Sequence, residues 1–145
     1  MEQQRAGGFL ITKIHQLAGR IFTKILKKYH IKINPAQGRI LFVLWRNDEI
    51  SIHELAKKTS LGKSTLTSML DRLEKMGYIK RIHSKIDRRK ILIELTEKDR
   101  NLHDKYIKIS QEMNKIYYNG FTNDEIDAFE EYLSRIFNNL SEFIS

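Results

Sequence analysis

Apolar side chains over residues 9–29 recur at Leu10, Ile14, Leu17, Ile21, Ile25 and Tyr29, steps of four and three that fit one stripe of a helix. Phe9, Ile11, Phe22 and Leu26 widen the stripe beyond what packing on one neighbour requires. Asn34 before Pro35 predicts an N-cap with proline at the first helical position. The helix it opens runs from Ala36 to Arg46, with Ile40, Leu41, Val43, Leu44 and Trp45 largely inward, and Asn47-Asp48-Glu49 breaks it. Ile50-Ser51-Ile52 is short and β-branched. Ser51 with Glu54 matches a capping box for a helix through Leu55, Ala56 and Lys58. Thr59–Gly62 reads as a tight turn containing glycine, and a further helix runs from Lys63 to about Met76, closed by Gly77.

The period then changes. Tyr78–Ser84 and Lys90–Leu95 are β-rich, with Ile91, Ile93 and Leu95 alternating, and Lys85–Arg89 is a connection of hairpin length. Thr96 with Asp99 marks a cap for a helix to about Tyr118, ended by Asn119-Gly120. Thr122 with Glu125 caps a last helix, in which Ile126, Phe129, Leu133, Ile136, Leu140 and Phe143 step three and four. Two short helices joined by a tight turn and followed by a hairpin form a winged helix-turn-helix. The expected fold is therefore mostly α with a small β-hairpin wing. One domain is expected over 1–145, with a winged-helix lobe at about 34–97 between flanking helices at about 9–30 and 98–144.

Charge adds an asymmetry. The net charge is +8, but residues 1–50 and 51–98 each carry +6 while residues 99–145 carry −4. A chain so divided presents a basic face to a polyanion and keeps another surface for something else. The densest stretch is Lys80, Arg81, Lys85, Arg88, Arg89 and Lys90 against Asp87. With no cysteine, thiolate metal sites, disulfides and thiol redox sensing are excluded. No apolar run approaches the ~18 residues of a membrane span. Met1–Gly8 lacks the layout of a signal peptide, so a cytoplasmic protein without membrane contact is expected.

On the helix from Lys63, the residues Leu66, Met69, Leu70 and Leu73 share one face, and Ser64, Thr67, Ser68, Asp71, Arg72 and Lys75 fall opposite. Short hydroxyls let a helix approach a groove closely, and arginine can take a guanine edge or a phosphate. A merely solvated face favours Glu and Lys, because Ser and Thr are mediocre in helix interiors. The candidate DNA contacts are Ser64, Thr65, Thr67, Ser68 and Arg72 on the helix, with Lys85, Arg88, Arg89 and Lys90 on the wing. At the hairpin tip Asp87 is expected to pair with Arg89, leaving Arg88 and Lys90 pointing outward.

The segment Leu61-Gly62-Lys63-Ser64-Thr65-Leu66 through Asp71-Arg72-Leu73 and Gly77 to Tyr78-Ile79-Lys80-Arg81 resembles the recognition segment of the MarR family. Asp87-Arg88-Arg89-Lys90 leading to Leu95-Thr96-Glu97 resembles that family's wing, and Asn34-Pro35-Ala36-Gln37 its second helix. The resemblance implies a homodimer on a pseudo-palindromic double-stranded DNA site, released by a small phenolic or other amphipathic effector. The wide first stripe and the final 3-4 repeat independently favour dimerisation, with Leu10, Ile14, Phe129, Leu133, Ile136, Phe137 and Leu140 as the interface candidates. His15, Ile14, Trp45 and Arg39 are residues that could line an effector pocket, though each fits plain core or surface better and none is taken as a site.

Nothing points to catalysis. There is no Gly-rich phosphate loop and no G-x-S-x-G, and His15, His30, His53, His83 and His103 form no metal-binding pair on a helix face, so no cofactor or metal is expected. The alternative from another class is an architectural or protein-binding winged helix without sequence preference.

Overall fold

A computed structural model describes residues 4–145; the first three residues of the Met1–Gly8 tail lie outside the described residues. Among the described residues the order is α1 (Gly7–Lys28), α2 (Pro35–Arg46), β1 (Ile50–Ser51), α3 (Ile52–Thr59), α4 (Lys63–Lys75), β2 (Ile79–His83), β3 (Ile91–Leu95), α5 (Asp99–Tyr117) and α6 (Asn123–Ile144). This is the expected winged helix-turn-helix. No helix among these residues is long and apolar enough to cross a membrane.

The chain separates into two compact units, one ending at Ile109 and the other beginning at Ser110, inside α5. In the first, Leu26, Ile40, Leu41, Leu44, Leu55, Leu66, Leu70, Leu73, Ile79, Ile93 and Ile109 are fully buried. They come from all five of its helices and from both wing strands, so the helix-turn-helix is packed from several sides. Val43 and Trp45 are only half-buried, fewer inward groups on α2 than the apolar run suggested. The α2 cap goes beyond proline. Asn34 Oδ1 accepts from Gln37 N at 2.8 Å, and Gln37 Oε1 accepts from Asn34 N at 2.9 Å, a reciprocal box.

Two local expectations, the caps at Ser51 and Thr96, are corrected. Ser51 Oγ accepts from Glu54 N, but the return bond from Glu54 does not form, so only half of that box exists. In the turn after α3 the left-handed residue is Ser60 (φ 58°), whereas Gly62 has φ −64° and simply precedes α4. Thr96 does not cap α5. Its hydroxyl donates to Gly77 O at 2.5 Å, and Asp99 turns inward to take the Trp45 indole N–H at 2.6 Å. A tertiary bond has replaced the local one in each of the last two residues.

The sheet has the order β1-β3-β2, all antiparallel. Ile79 faces Leu95 and His83 faces Ile91 across the hairpin, while Ile50 faces Ile93 on the other edge of β3. The β-branched Ile50-Ser51 is thus a third strand, and it buries Ile93 in the middle of the sheet. At the end of α4, Gly77 (φ 87°) permits a Schellman motif: Tyr78 N donates to Leu73 O and Gly77 N to Glu74 O. Lys98 Nζ then donates to Met76 O at 2.7 Å, a cation on exposed helix-end carbonyls.

In the second unit Tyr118 organises the turn into α6. Its ring lies 5.8 Å from Phe121 and 6.2 Å from Phe129, and its hydroxyl donates to Glu130 Oε2 at 2.8 Å. Burial, and then the Glu130 carboxylate, push the phenol up to about 12. Thr122 and Glu125 form the complete capping box expected for α6. No residue of α6 is buried.

Candidate nucleic-acid interface

The α4 helix is fixed by its buried Leu66, Leu70 and Leu73, which turn Ser64, Thr65, Thr67, Ser68, Arg72 and Lys75 to solvent. Thr67 donates its hydroxyl proton back to Lys63 O at 2.9 Å, so it offers lone pairs outward. The hydroxyls of Ser64, Thr65 and Ser68 stay uncommitted, able to donate to phosphate oxygens or base edges. Arg72 and Lys75 have no ion-pair partner among the described residues. Met69, expected on the inner face, is half-exposed at its edge.

The same helix carries two acids, and the wing neutralises both. Arg81 on β2 sends one guanidinium nitrogen to Asp71 at 2.8 Å and the other to Glu74 at 2.6 Å. Its side chain is only 23% exposed. By sequence alone Arg81 is one more basic residue of the Lys80–Lys90 stretch. It is instead a positioning residue that fastens the wing to α4. The alternation of β2 was the available signal, since Arg81 falls opposite Ile93 on the strand that leads away from α4.

At the wing tip Asp87 and Arg89 pair as expected. Arg89 Nε reaches Asp87 Oδ1 at 3.1 Å and its terminal nitrogen reaches Oδ2 at 3.3 Å, while the backbone N–H of Arg89 also donates to Oδ1. These bonds from Arg89 hold the Asp87 carboxyl below its ordinary range. Ser84 Oγ accepts from the backbone of both Ile86 and Asp87, and His83 Nδ1 meets Arg88 O at 2.9 Å. The loop is therefore built from the inside, and Lys85, Arg88 and Lys90 remain exposed without ion-pair partners among the described residues. Arg89 is paired yet 91% exposed, so its guanidinium is oriented and still reachable.

The interface candidates are exposed. In α1, Leu10 and Ile14 are 51% and 50% accessible; in α6, Phe129, Leu133, Ile136, Phe137 and Leu140 all lie between 39% and 62%. The four residues considered for an effector pocket do not come together. His15 and Arg39 line a cavity of about 700 Å³ between α1 and α2, and Trp45 lines another.

A family model described as MarR family matches residues 33–91. Among curated proteins, the HTH-type transcriptional regulator SarZ of Staphylococcus aureus is 32% identical over 125 residues, 86% of this chain and 76% of SarZ. The HTH-type transcriptional repressor YetL of Bacillus subtilis is 31% identical over 118 residues, 77% of this chain and 68% of YetL. The regulator TtmR of Methylorubrum extorquens is 34% identical over 87 residues, 60% of this chain, and the match spans only 44% of TtmR. A crystal structure of mutant MarR from E. coli complexed with operator DNA superposes with a TM-score of 0.78 at 27% identity, covering 89% of this chain and 91% of that one. A MarR transcriptional regulator from Methanosarcina mazei gives a TM-score of 0.82 at 25% identity, covering 94% and 96%.

Proposed function

The chain belongs to the MarR family, and from that premise we propose that it is a cytoplasmic, homodimeric repressor that binds a pseudo-palindromic operator in double-stranded DNA. It works by binding and carries out no catalysis. The observation that carries this reading is the juxtaposition of an exposed Ser/Thr/Arg face on α4 with a preorganised cationic wing tip. In it, α4 enters the major groove, where Ser64, Thr65, Thr67, Ser68 and Arg72 meet phosphates and base edges. The wing lies over the flanking minor groove, with Arg89 aimed by Asp87 and Lys85, Arg88 and Lys90 on phosphates.

Residues of about 34–97 form the DNA-binding lobe, and the helices at about 9–30 and 98–144 join two copies. The apolar faces of α1 and α6, left uncovered in a single chain, support that assembly. Two-fold symmetry sets the two α4 helices about 34 Å apart, one turn of duplex. A small phenolic or other amphipathic effector releases the DNA by altering that spacing. The cavity between α1 and α2, rimmed by His15, Arg20, Lys24 and Arg39, supports an acidic ligand there.

The test is fluorescence anisotropy with a duplex from upstream of the protein's own gene, with excess random DNA, at two salt concentrations. A specific regulator keeps a preference of about 10³ or more over random duplex and binds as two chains per site. Arg89→Ala should weaken operator binding while the dimer persists. Binding that collapses into the competitor at both salt concentrations sinks the sequence-specific reading and favours an architectural one.

A further inference from the structure

A second cavity, of about 550 Å³, lies away from the α4 face, between the end of α2, the start of α5 and the base of the wing. On a chain of net charge +8 its wall is acidic: Asp48, Glu94, Glu97 and Asp99 stand against Lys80 and Arg100. Arg100 is already engaged by Glu97 at 3.6 Å. Acidity alone marks a surface, but Asp99 adds an independent observation. Its side chain is 97% buried (3% exposed), its Oδ2 is occupied by the Trp45 indole N–H, and its Oδ1 is buried with no hydrogen-bond partner. Buried carboxylate oxygens almost always have a donor, and none in the described chain supplies this one.

The missing donor is constrained by its surroundings. Among the described residues no three His, Asp or Glu side chains converge to hold a metal ion. The same wall carries the Trp45 and His103 rings, 4.6 Å apart and tilted by 35°, beside Leu44 and Leu95. A group that fits must bring N–H donors, positive charge and some apolar surface together. We propose that this cavity binds a small organic cation, a primary ammonium or amidinium on an apolar body, which donates to Asp99 and is balanced by Asp48 and Glu94. Such a ligand is opposite in charge to the acidic effector suited to the α1–α2 cavity. It would also tie β3, through Glu94, to α2 and α5.

Trp45 is the sole tryptophan, so the site carries its own reporter. The full-length protein, without DNA, is titrated with benzylamine, benzyl alcohol and benzoate while Trp45 emission is followed. Benzylamine should give a saturable shift, with benzyl alcohol weaker by at least about tenfold and benzoate silent at this site. Asp99→Asn should abolish that preference for the amine; if that variant fails to fold, Glu94→Gln should reduce it. Equal response to amine and alcohol, an amine preference that survives the substitutions, or no saturable response to benzylamine overturns the proposal. Because no DNA is present, none of these outcomes bears on operator binding.

Discussion

Gly38 shows how far one position can be fixed by its neighbour. A Cβ built there would overlap the Tyr106 hydroxyl and ring, and Tyr106 cannot step aside, because it is 6% exposed and packed between Phe22 and Trp45. Gly38→Ala should therefore cost about 1–3 kcal/mol, read as a lower urea midpoint at unchanged slope. Burial also pushes the Tyr106 phenol up to about 12, so it stays neutral through the working range. Asp99 is a contrasting buried group. Burial raises its carboxyl above the ordinary carboxylate value; the Trp45 N–H and then His103 partly oppose this, and Asp48 adds to it. A carboxyl raised on folding contributes stability that is complete below its unfolded pKa, about 3.9, and is lost as pH rises through the folded value. Wild type should lose stability relative to Asp99→Asn over that window and run parallel to it at higher pH. The Trp45 indole N–H resonance should titrate over the same window in wild type alone.

At the level of elements, the wing and α4 act as one piece because of Arg81. Arg81→Ala should lower operator affinity about tenfold, although Arg81 makes its two bonds inside the protein. Removing it leaves Asp71 and Glu74 unpaired beside the DNA and frees the base of β2. With both acids open to solvent, at 60% and 42% exposed, these pairs contribute little to folding, so the change in stability should stay below about 1 kcal/mol. Arg81→Lys should recover part of the affinity, since an ammonium keeps the charge but cannot bridge two carboxylates as a fork. A variant that binds the operator as wild type does rules out this coupling. Periodicity and caps made these elements legible: Asn34-Pro35, Gly77 and Thr122–Glu125 stand where chain chemistry alone puts them. What stayed hidden was long-range. Pairing of Ile50-Ser51 with β3 spans more than forty residues, Thr96 and Asp99 left local caps for partners on other elements, and Arg81 looked like its basic neighbours. The proposed DNA contacts are readable because their types are unusual for an exposed helix face; Arg81, which fastens the wing beside them, is an ordinary arginine.

For the whole molecule the decisive substitution is Leu133→Glu, which sets a charge in the proposed α6 interface. It should yield monomers by light scattering and lose tight operator binding with the second half-site. A variant that remains dimeric places the interface elsewhere. The absence of any buried residue along α6 has a consequence beyond geometry. A helix of 22 residues with Phe143 92% and Ile144 86% exposed draws little support from its own chain, so in the proposed dimer its persistence would be tied to how many copies are present. Expression level then becomes a control variable in its own right. A repressor at its own promoter would disarm itself by dilution as a cell grows and divides, before any effector arrives.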